Sequence, residues 1–177
     1  MDAQARFETL YRQHGGAVRR YVRRRADAQF ADDVVSDVFV VAWRRLGDVP
    51  EDPLPWLLGV ARRVLSNRYR GEARDHALHE RVRSEQARAA ATQDAGEPPA
   101  ADVWSALAAL SHRDREALLL VAWEELSPAR AARVLGVSAN TFAVRLYRAR
   151  RRFARALAAE SDRPGHQPGS STVEVLR

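Results

Sequence analysis

The first 70 residues repeat apolar side chains at the spacing of amphipathic helices. Their first segment predicts one helix or two, because the adjacent glycines Gly15 and Gly16 interrupt a pattern that continues on both sides. The apolar positions of this segment are Phe7, Leu10, Tyr11, Val18, Tyr21 and Val22.

Residues 31–46 contain five valines, a residue type that favours strands. We nevertheless predict a helix, because the apolar positions keep a period of 3.6 residues. Acidic residues near its N-terminal end and arginines near its C-terminal end also suit the helix macrodipole. Phe39, Val40 and Trp43 exceed what one buried face requires. Two interpretations stay open: a helix buried on all sides, or a second face that binds a protein partner.

Three prolines fall within residues 47–55, and this stretch is therefore predicted to be a loop without regular structure. Residues 56–70 predict the next helix, with an apolar inward face and a basic outward face. The inward residues are Leu57, Ala61, Val64 and Leu65, and the outward residues are Arg62, Arg63, Ser66 and Arg70. With Trp56 at its start, this composition suits contact with phosphates and an unstacked base. The alternative is a core tryptophan with ordinary surface arginines.

Residues 127–155 predict a short helix, a tight turn and a long helix. Ser127 and Pro128 favour a helix start, because a serine hydroxyl caps free N–H groups and proline suits the first helical position. Gly136 predicts the end of this helix, since glycine adopts positive φ without steric cost. Ser138 is predicted to cap the next helix. This order is typical of a helix-turn-helix that binds DNA.

The long second helix has an apolar side and a basic side when its residues are placed about 100° apart. The predicted core side comprises Phe142, Leu146, Ala149, Phe153 and Leu157. Roughly opposite lie Asn140, Thr141, Val144, Tyr147, Arg148, Arg151 and Arg155, with Arg145 and Arg152 at the flank. No acidic residue lies between Ser138 and Ala159, so its six arginines are predicted to lack counter-charges. The alternative is a basic face that only contacts solvent.

Composition favours an anionic partner and excludes cysteine chemistry. The chain of 177 residues has a net charge of +6 and a pI near 10.8, and nucleic acid is the usual partner of such a protein. It contains no cysteine, which excludes disulfides, thiolate zinc sites and cysteine nucleophiles. We expect a cytoplasmic protein, because the sequence has neither a signal-peptide pattern nor a membrane-spanning apolar run.

Charge and composition divide the chain into four parts. We predict an all-α protein with two small helical domains, residues 1–70 and 102–160, the second carrying the helix-turn-helix. Residues 71–101 are acidic overall and rich in alanine, proline and glycine, which predicts a flexible linker. Residues 161–177 are too polar and too rich in glycine and proline to predict a folded tail.

Several motifs, in this order, resemble bacterial RNA polymerase sigma factors of the extracytoplasmic-function type. They are FETLYRQH, DDVVSDVFVVAWRRL, PWLLGVARRVLSNRYR and, after the linker, LSHRDREALLLVAWEELSPARAARVLGVSANTFAVRLYRARRRF. The resemblance covers residues 5–70 and 103–157. It is specific, since two independent patterns occur in the family's order with only a linker between them.

The resemblance implies that the chain binds core RNA polymerase and promoter DNA. In this family the helix at residues 32–45 docks on the clamp helices of the largest polymerase subunit. The polymerase-binding residues so implied are Asp33, Asp37, Phe39, Val40, Trp43 and Arg44. Many members also bind an anti-sigma factor, and the resemblance implies such a partner here.

The resemblance also implies two DNA contacts. Residues 47–56 and the helix after them read the minus-ten element and capture an extruded base, through Trp56, Arg62, Arg63, Ser66, Asn67 and Arg70. The long C-terminal helix reads the minus-thirty-five element. The family's contacts map to Ala143, Val144, Tyr147 and Arg148, and with the outward face they give the set Thr141, Val144, Arg145, Tyr147, Arg148 and Arg151.

The chain departs from the family pattern at both DNA contacts. Ala143 and Val144 precede Arg145 where the family usually has a basic residue and a serine, and neither can donate a hydrogen bond to a base edge. Arg63 replaces a common asparagine, and Ser66-Asn67 replace an acidic position. The promoter sequence therefore does not carry over from the family.

Two other functions fit parts of the sequence. A stand-alone helix-turn-helix regulator needs neither the second basic helix nor the apolar surplus around Trp43. For an enzyme, the sequence offers His76 and His79 at an H-x-x-H spacing, but it offers neither a convincing third ligand nor a nucleophile pattern. We therefore expect no catalytic residue, no metal and no cofactor, with the polymerase supplying the chemistry.

Overall fold

The computed structural model of the chain describes residues 2–71 and 101–161. Within these two ranges every regular element is an α-helix or a 3₁₀ turn, and no strand occurs. Turns, bends and short irregular stretches join these elements. The predicted all-α class is confirmed. The chain divides into two compact units, residues 1–96 and 97–177, and each is described by itself.

Within residues 2–71 of the first unit, three helices pack against one another. They are α1 (Ala3–Arg23), α2 (Ala28–Arg44) and α3 (Pro53–Gly71), with a 3₁₀ turn at Leu46–Asp48. Side chains from all three helices close the core, and those with almost no exposed surface include Val18, Tyr21, Val22, Val34, Val38, Leu57 and Leu58.

Helix α1 continues through Gly15 and Gly16. The first segment therefore forms one helix and not two. A side chain at position 15 would stand 3.8 Å from the ring of Tyr11, which is ordinary contact, so no steric demand explains Gly15. Glycine costs a helix interior about 1 kcal/mol relative to alanine. Packing of Leu10 on one side of the glycines and of Val18, Tyr21 and Val22 on the other holds the helix continuous.

Helix α2 is helical in spite of its valines, as the period predicts. Val34, Val35, Val38 and Ala42 are buried against α1 and α3. Tertiary packing of one apolar face thus outweighs a strand propensity that spans only about 1 kcal/mol. The side chain of Tyr69, near the end of α3, donates a hydrogen bond to the carbonyl oxygen of Arg25 at 2.7 Å and ties α3 to the α1–α2 connection.

The prediction that residues 47–55 lack regular structure is wrong at both ends. Leu46–Asp48 form a 3₁₀ turn, and Pro53 begins α3, so that Pro53 and Pro55 lie in its first turn. Proline is tolerated there because the first N–H groups of a helix have no partner within it. Only residues 49–52 form an irregular connection.

Within residues 101–161 of the second unit, three helices pack around a fourth, the last one. They are α4 (Ala101–Ala108), α5 (His112–Ala122), α6 (Pro128–Leu135) and α7 (Ala139–Ser161). Helix α7 packs against each of the other three. The guanidinium of Arg115 donates hydrogen bonds to the carbonyl oxygens of Leu107, Ala108 and Leu110 at 2.8, 3.0 and 3.2 Å, which satisfies the C-terminal end of α4.

The predicted linker and tail lie outside the described residues, apart from the helix ends at positions 71, 101 and 161. The four-part division of the chain therefore stays a prediction. His76 and His79 also lie outside the described residues.

Candidate nucleic-acid interface

Backbone geometry at residues 127–138 forms the predicted helix-turn-helix. The Ser127 hydroxyl accepts a hydrogen bond from the Arg130 N–H at 3.4 Å, and Pro128 occupies the first turn of α6. Gly136 ends α6 with φ 66°, and the N–H groups of Gly136 and Val137 bond back to the carbonyls of Arg133 and Ala132. This double bond pattern is a Schellman motif, which needs a residue at positive φ. The predicted roles of Ser127 and Gly136 are confirmed.

The next helix starts at Ala139, three residues after Gly136, and is capped as predicted. The Thr141 N–H donates to the Ser138 hydroxyl at 3.1 Å, and the two hydroxyl oxygens lie 2.9 Å apart. Thr141 thus takes part in the cap that fixes the start of α7. Only Gly136, Val137 and Ser138 separate the two helices, so the direction of α7 is set by α6 and its turn.

The inward face of α7 matches the predicted core stripe. Phe142, Leu146, Ala149 and Phe153 are buried, and Leu157 is half-buried. These side chains pack on α4, α5 and α6 and fix the rotation of α7 about its axis. The opposite face is therefore held toward solvent by the core.

That outward face, which we call the α7 face, carries most of the residues predicted to contact the minus-thirty-five element. Val144 and Tyr147 are 50% and 61% exposed. Thr141, Arg148 and Arg151 are also exposed, whereas Arg145 is half-buried. The Arg151 guanidinium lies 5.9 Å from the centre of the Tyr147 ring, within the range of a cation–π contact. The face thus combines positive charge with an exposed aromatic ring and an exposed valine.

One of the six arginines of α7 has a counter-charge, contrary to prediction. Arg152 forms a hydrogen-bonded ion pair with Asp114 of α5. The Asp114 side chain is only 7% exposed, and the Arg152 side chain is 52% exposed. Sequence reasoning missed this pair because the acid lies on another helix, 38 positions away along the chain. Arg152 fastens α7 to α5 and adds less free charge to the α7 face than a count of arginines suggests.

In the first unit, helix α3 presents the residues predicted for the minus-ten element. Arg63, Ser66 and Asn67 are exposed, and Trp56 and Arg62 are half-buried. The side chain of Arg70 lies outside the described part of the structure. The exposed members lie within about one helical turn of one another, beyond the middle of α3.

A second surface of this unit lies on α2. We call it the α2 face: Asp33, Asp37, Val40, Trp43 and Arg44 are all exposed, with Val40 at 46% and Trp43 at 48%. Phe39, predicted with them, is 5% exposed and belongs to the core. Residue 39 points away from the α2 face because it is one position, or about 100°, from Val40.

An aromatic cluster supports the α2 face from beneath. The ring of Phe7 lies edge-on to Phe39 and to Trp43, with centroids 6.2 and 5.2 Å apart. The ring of Tyr11 lies 4.7 Å from that of Phe39 and is itself 45% exposed. The interpretation of α2 as a helix buried on all sides is therefore wrong, because Val40 and Trp43 face solvent and only Phe39 belongs to the core. A protein partner for the exposed side chains stays a prediction.

Arg68 was not singled out from the sequence, yet it joins α3 to the acidic residues of α2. Its guanidinium nitrogens lie 3.7 Å from an Asp33 carboxylate oxygen and 3.8 Å from an Asp37 carboxylate oxygen. It also lies 5.6 Å from the centre of the Phe30 ring. In the sequence, Arg68 is one of several arginines in the same helix, at positions 62, 63, 68 and 70. The sequence does not distinguish it from the others, because its acidic partners lie on another helix.

Residues 2–71 and 101–161 offer neither a metal site nor a membrane span. No group of three His, Cys, Asp or Glu side chains there could hold a metal ion. No helix in the same ranges is long and apolar enough to cross a membrane.

Comparison with known families matches both units. Residues 10–75 match the family described as Sigma-70 region 2, and residues 100–153 match the family described as Sigma-70, region 4. The first match contains α2, α3 and most of α1, and the second contains the helix-turn-helix and most of the α7 face. A search of curated proteins finds no significant match.

Similar solved structures include two that span most of the chain. The chain is 30% identical to CnrH, solved in complex with the cytosolic domain of CnrY, with a TM-score of 0.61 over 88% of this chain and 89% of that one. It is 22% identical to the sigma factor RpoE of Bartonella quintana, solved in complex with the anti-sigma factor NepR, with a TM-score of 0.58 over 89% of this chain and 98% of that one. The second similarity concerns the fold alone.

Proposed function

The chain belongs to the sigma-70 family as a sigma factor of the extracytoplasmic-function type, and from this membership we propose how its surfaces divide the work of initiation. It binds core RNA polymerase and promoter DNA and directs promoter-specific transcription initiation. The observation that carries the proposal is the presence of regions 2 and 4 in one chain, with exposed polar and basic side chains on α3 and on α7. A stand-alone helix-turn-helix regulator is not favoured, because it needs no region 2.

The α2 face is proposed to dock on the clamp helices of the largest polymerase subunit. It combines two exposed apolar side chains, Val40 and Trp43, with the charges of Asp33, Asp37 and Arg44. Interfaces of this kind have apolar or aromatic anchors with a polar rim. Phe39 contributes from below, by holding the Phe7 ring against which Trp43 packs.

Helix α3 and the connection before it are proposed to read the minus-ten element. Arg63, Ser66 and Asn67 present donors on the exposed side of the helix, while Trp56 and Arg62 lie half-buried at its N-terminal half. Extruding a base from the duplex costs a few kcal/mol, which contacts to the base and backbone must recover. Arg70 is kept in this set on the family resemblance.

The α7 face is proposed to enter the major groove at the minus-thirty-five element. Thr141, Val144, Tyr147, Arg148 and Arg151 are exposed on it, and Arg145 lies at its edge. Recognition helices use their N-terminal half for base edges and flanking basic residues for phosphates. The rigid core beneath α7 supports this function, because it fixes which residues point outward.

The proposal includes an anti-sigma factor as a further protein partner. RpoE is solved with an anti-sigma factor and CnrH with the cytosolic domain of CnrY. We propose that a protein of this kind covers the exposed apolar surface around Trp43 and competes with polymerase.

The chain is proposed to act in the cytoplasm as a regulator, and the polymerase supplies the catalysis. The proposed first domain, residues 1–70, binds polymerase and the minus-ten element. The proposed second domain, residues 102–160, binds the minus-thirty-five element, and residues 71–101 are the proposed linker between them.

A measurement of promoter opening tests the assignment of α3. In holoenzyme assembled from core polymerase and the full chain, Arg63→Ala is expected to lower the permanganate reactivity of thymines at the minus-ten element. Core affinity and the minus-thirty-five footprint should stay unchanged. Arg12→Ala, which removes an exposed arginine of α1, is the matched control. Equal opening by the Arg63→Ala and Arg12→Ala variants, or loss of core binding in the Arg63→Ala variant, contradicts the assignment.

A further inference from the structure

An apolar side chain lies at the centre of the α7 face. Val144 is 50% exposed, although it belongs to a helix whose opposite side is closed by Phe142 and Leu146. Its position on the wheel is almost diametrically opposite these core residues. Core packing therefore does not explain the choice of valine here, and exposure of a β-branched apolar residue gains nothing for an isolated helix.

The residues around Val144 offer few polar groups to a base edge. Among residues 139–144, only Asn140 and Thr141 carry a side chain that forms hydrogen bonds. The Thr141 hydroxyl lies 2.9 Å from that of Ser138 and takes part in the helix cap. Ala143, the neighbour of Val144, is exposed and apolar. The N-terminal part of the helix, which contacts base edges in helix-turn-helix proteins, is thus mainly apolar where it faces outward.

Among the four bases, only thymine presents a methyl group in the major groove, at C5. We propose that Val144 selects a thymine at one position of the minus-thirty-five element by packing against this methyl group. This inference rests on the proposed function of the α7 face. It names a specificity residue and the chemical group that it recognises.

The polar residues of the same face are placed to complement this contact. Tyr147 and Arg148 follow Val144 by about one turn, and both are exposed. Arg148 can bond to a guanine edge or a phosphate, and Arg151 is held beside the Tyr147 ring at 5.9 Å. Base specificity is then divided between a methyl contact at Val144 and polar contacts of Tyr147 and Arg148 one turn later. Arg151 adds positive charge near the DNA phosphates.

Single-atom changes in the DNA test this inference. Each thymine of a minus-thirty-five element, on either strand, is replaced in turn by deoxyuridine, which lacks only the C5 methyl. Holoenzyme containing the full chain is then titrated with each promoter. We expect one position at which deoxyuridine weakens binding about fourfold, the effect of exposing one methyl-sized group. Replacing that thymine by cytosine and then by 5-methylcytosine should restore part of the lost affinity at the second step.

The variant Val144→Ala should lose this methyl dependence and retain the rest of the promoter preference. Arg150→Ala, an exposed change on the same helix away from the α7 face, should keep the full deoxyuridine penalty. Circular dichroism and core affinity verify that Val144→Ala is folded, which we expect because alanine favours helices.

The outcomes separate this inference from the proposed function. A promoter that depends on its minus-thirty-five bases but shows no deoxyuridine penalty overturns the role of Val144 alone. A penalty that persists undiminished in Val144→Ala overturns it as well, since another residue then contacts the methyl. Binding that ignores every minus-thirty-five base overturns the proposed function of the α7 face and this inference with it.

Discussion

Arg152 on α7 donates a hydrogen bond to Asp114 on α5, and the two partners differ greatly in exposure. The carboxylate side chain is 7% exposed, whereas the arginine side chain is 52% exposed. Ser111 caps the same helix end by accepting from the Asp114 N–H at 3.2 Å. The pair thus joins the start of α5 to the flank of the helix proposed to read the minus-thirty-five element.

This asymmetry in exposure predicts an asymmetric effect of mutation. Arg152→Ala leaves a buried carboxylate without its partner, and we expect a loss of about 3 kcal/mol in the free energy of unfolding. Asp114→Asn leaves an oxygen that still accepts from Arg152, and the loss should be about 1 kcal/mol. Urea unfolding of the full chain, followed by hydrogen exchange in α5 and α7, measures both. Arg150→Ala is the control and should change stability by less than about 0.5 kcal/mol. Equal losses for the two partners contradict this account.

The helix-turn-helix depends on the backbone conformation of Gly136 rather than on space around it. Its φ is 66°, and an added Cβ would meet no atom within 4 Å. Gly136→Ala is therefore expected to cost about 1 kcal/mol through the left-handed conformation alone. Gly47 also has open space around it, but its φ lies outside the positive range, and Gly47→Ala should be close to neutral. Thermal unfolding compares the two, and an equal shift in Tm would show that the conformation of Gly136 carries no cost.

Phe39 and Trp43 are expected to separate stability from polymerase binding. Phe39 is 5% exposed, and Phe39→Ala should lower the free energy of unfolding by about 3–5 kcal/mol. Trp43 is 48% exposed, and Trp43→Ala should cost about 1 kcal/mol, mainly through its contact with Phe7. The same variant should weaken core polymerase binding at least about tenfold, as for an aromatic anchor of an interface. Fluorescence titration with core measures this, and unchanged affinity in Trp43→Ala would exclude the α2 face as the docking surface.

Arg148 and Arg150 test which side of α7 meets DNA. Both are exposed arginines on one helix, but only Arg148 lies on the α7 face. Arg148→Ala should cost about 1–3 kcal/mol of binding to the preferred promoter and relax preference at one base pair. Arg150→Ala should change binding less than twofold. Binding measured on matched and single-substituted promoters gives the answer. A uniform loss across all sequences with a smaller salt dependence would mean that Arg148 contacts a phosphate instead.

Local sequence patterns predicted α2, α6, α7 and the turn between the last two, because the causes of these elements are local. The cap at Ser138 and the αL residue at Gly136 follow from residue type and spacing alone. The first turn of α3 was missed because three prolines suggested a break, although proline is accepted where helix N–H groups are unpaired.

The hydrophobic pattern of the sequence does not predict which side chains of different helices contact one another. The apolar surplus of α2 was recognised, but the division into buried Phe39 and exposed Trp43 depends on how α1 packs over α2. Likewise, the ion pairs of Arg152 with Asp114 and of Arg68 with Asp33 and Asp37 join residues on different helices. A run of arginines in the sequence does not reveal which of them an acid on another helix engages.

Run-off transcription with core RNA polymerase and a library of randomised promoters tests the central claim most directly. Core alone serves as the baseline, and the full chain is added at equal template concentrations. We predict that initiation then occurs from a subset of templates that share two separated elements, and that mutation of either element abolishes it. Absence of promoter-dependent initiation from every template, together with tight sequence-specific binding of the chain to DNA without core, would contradict the account.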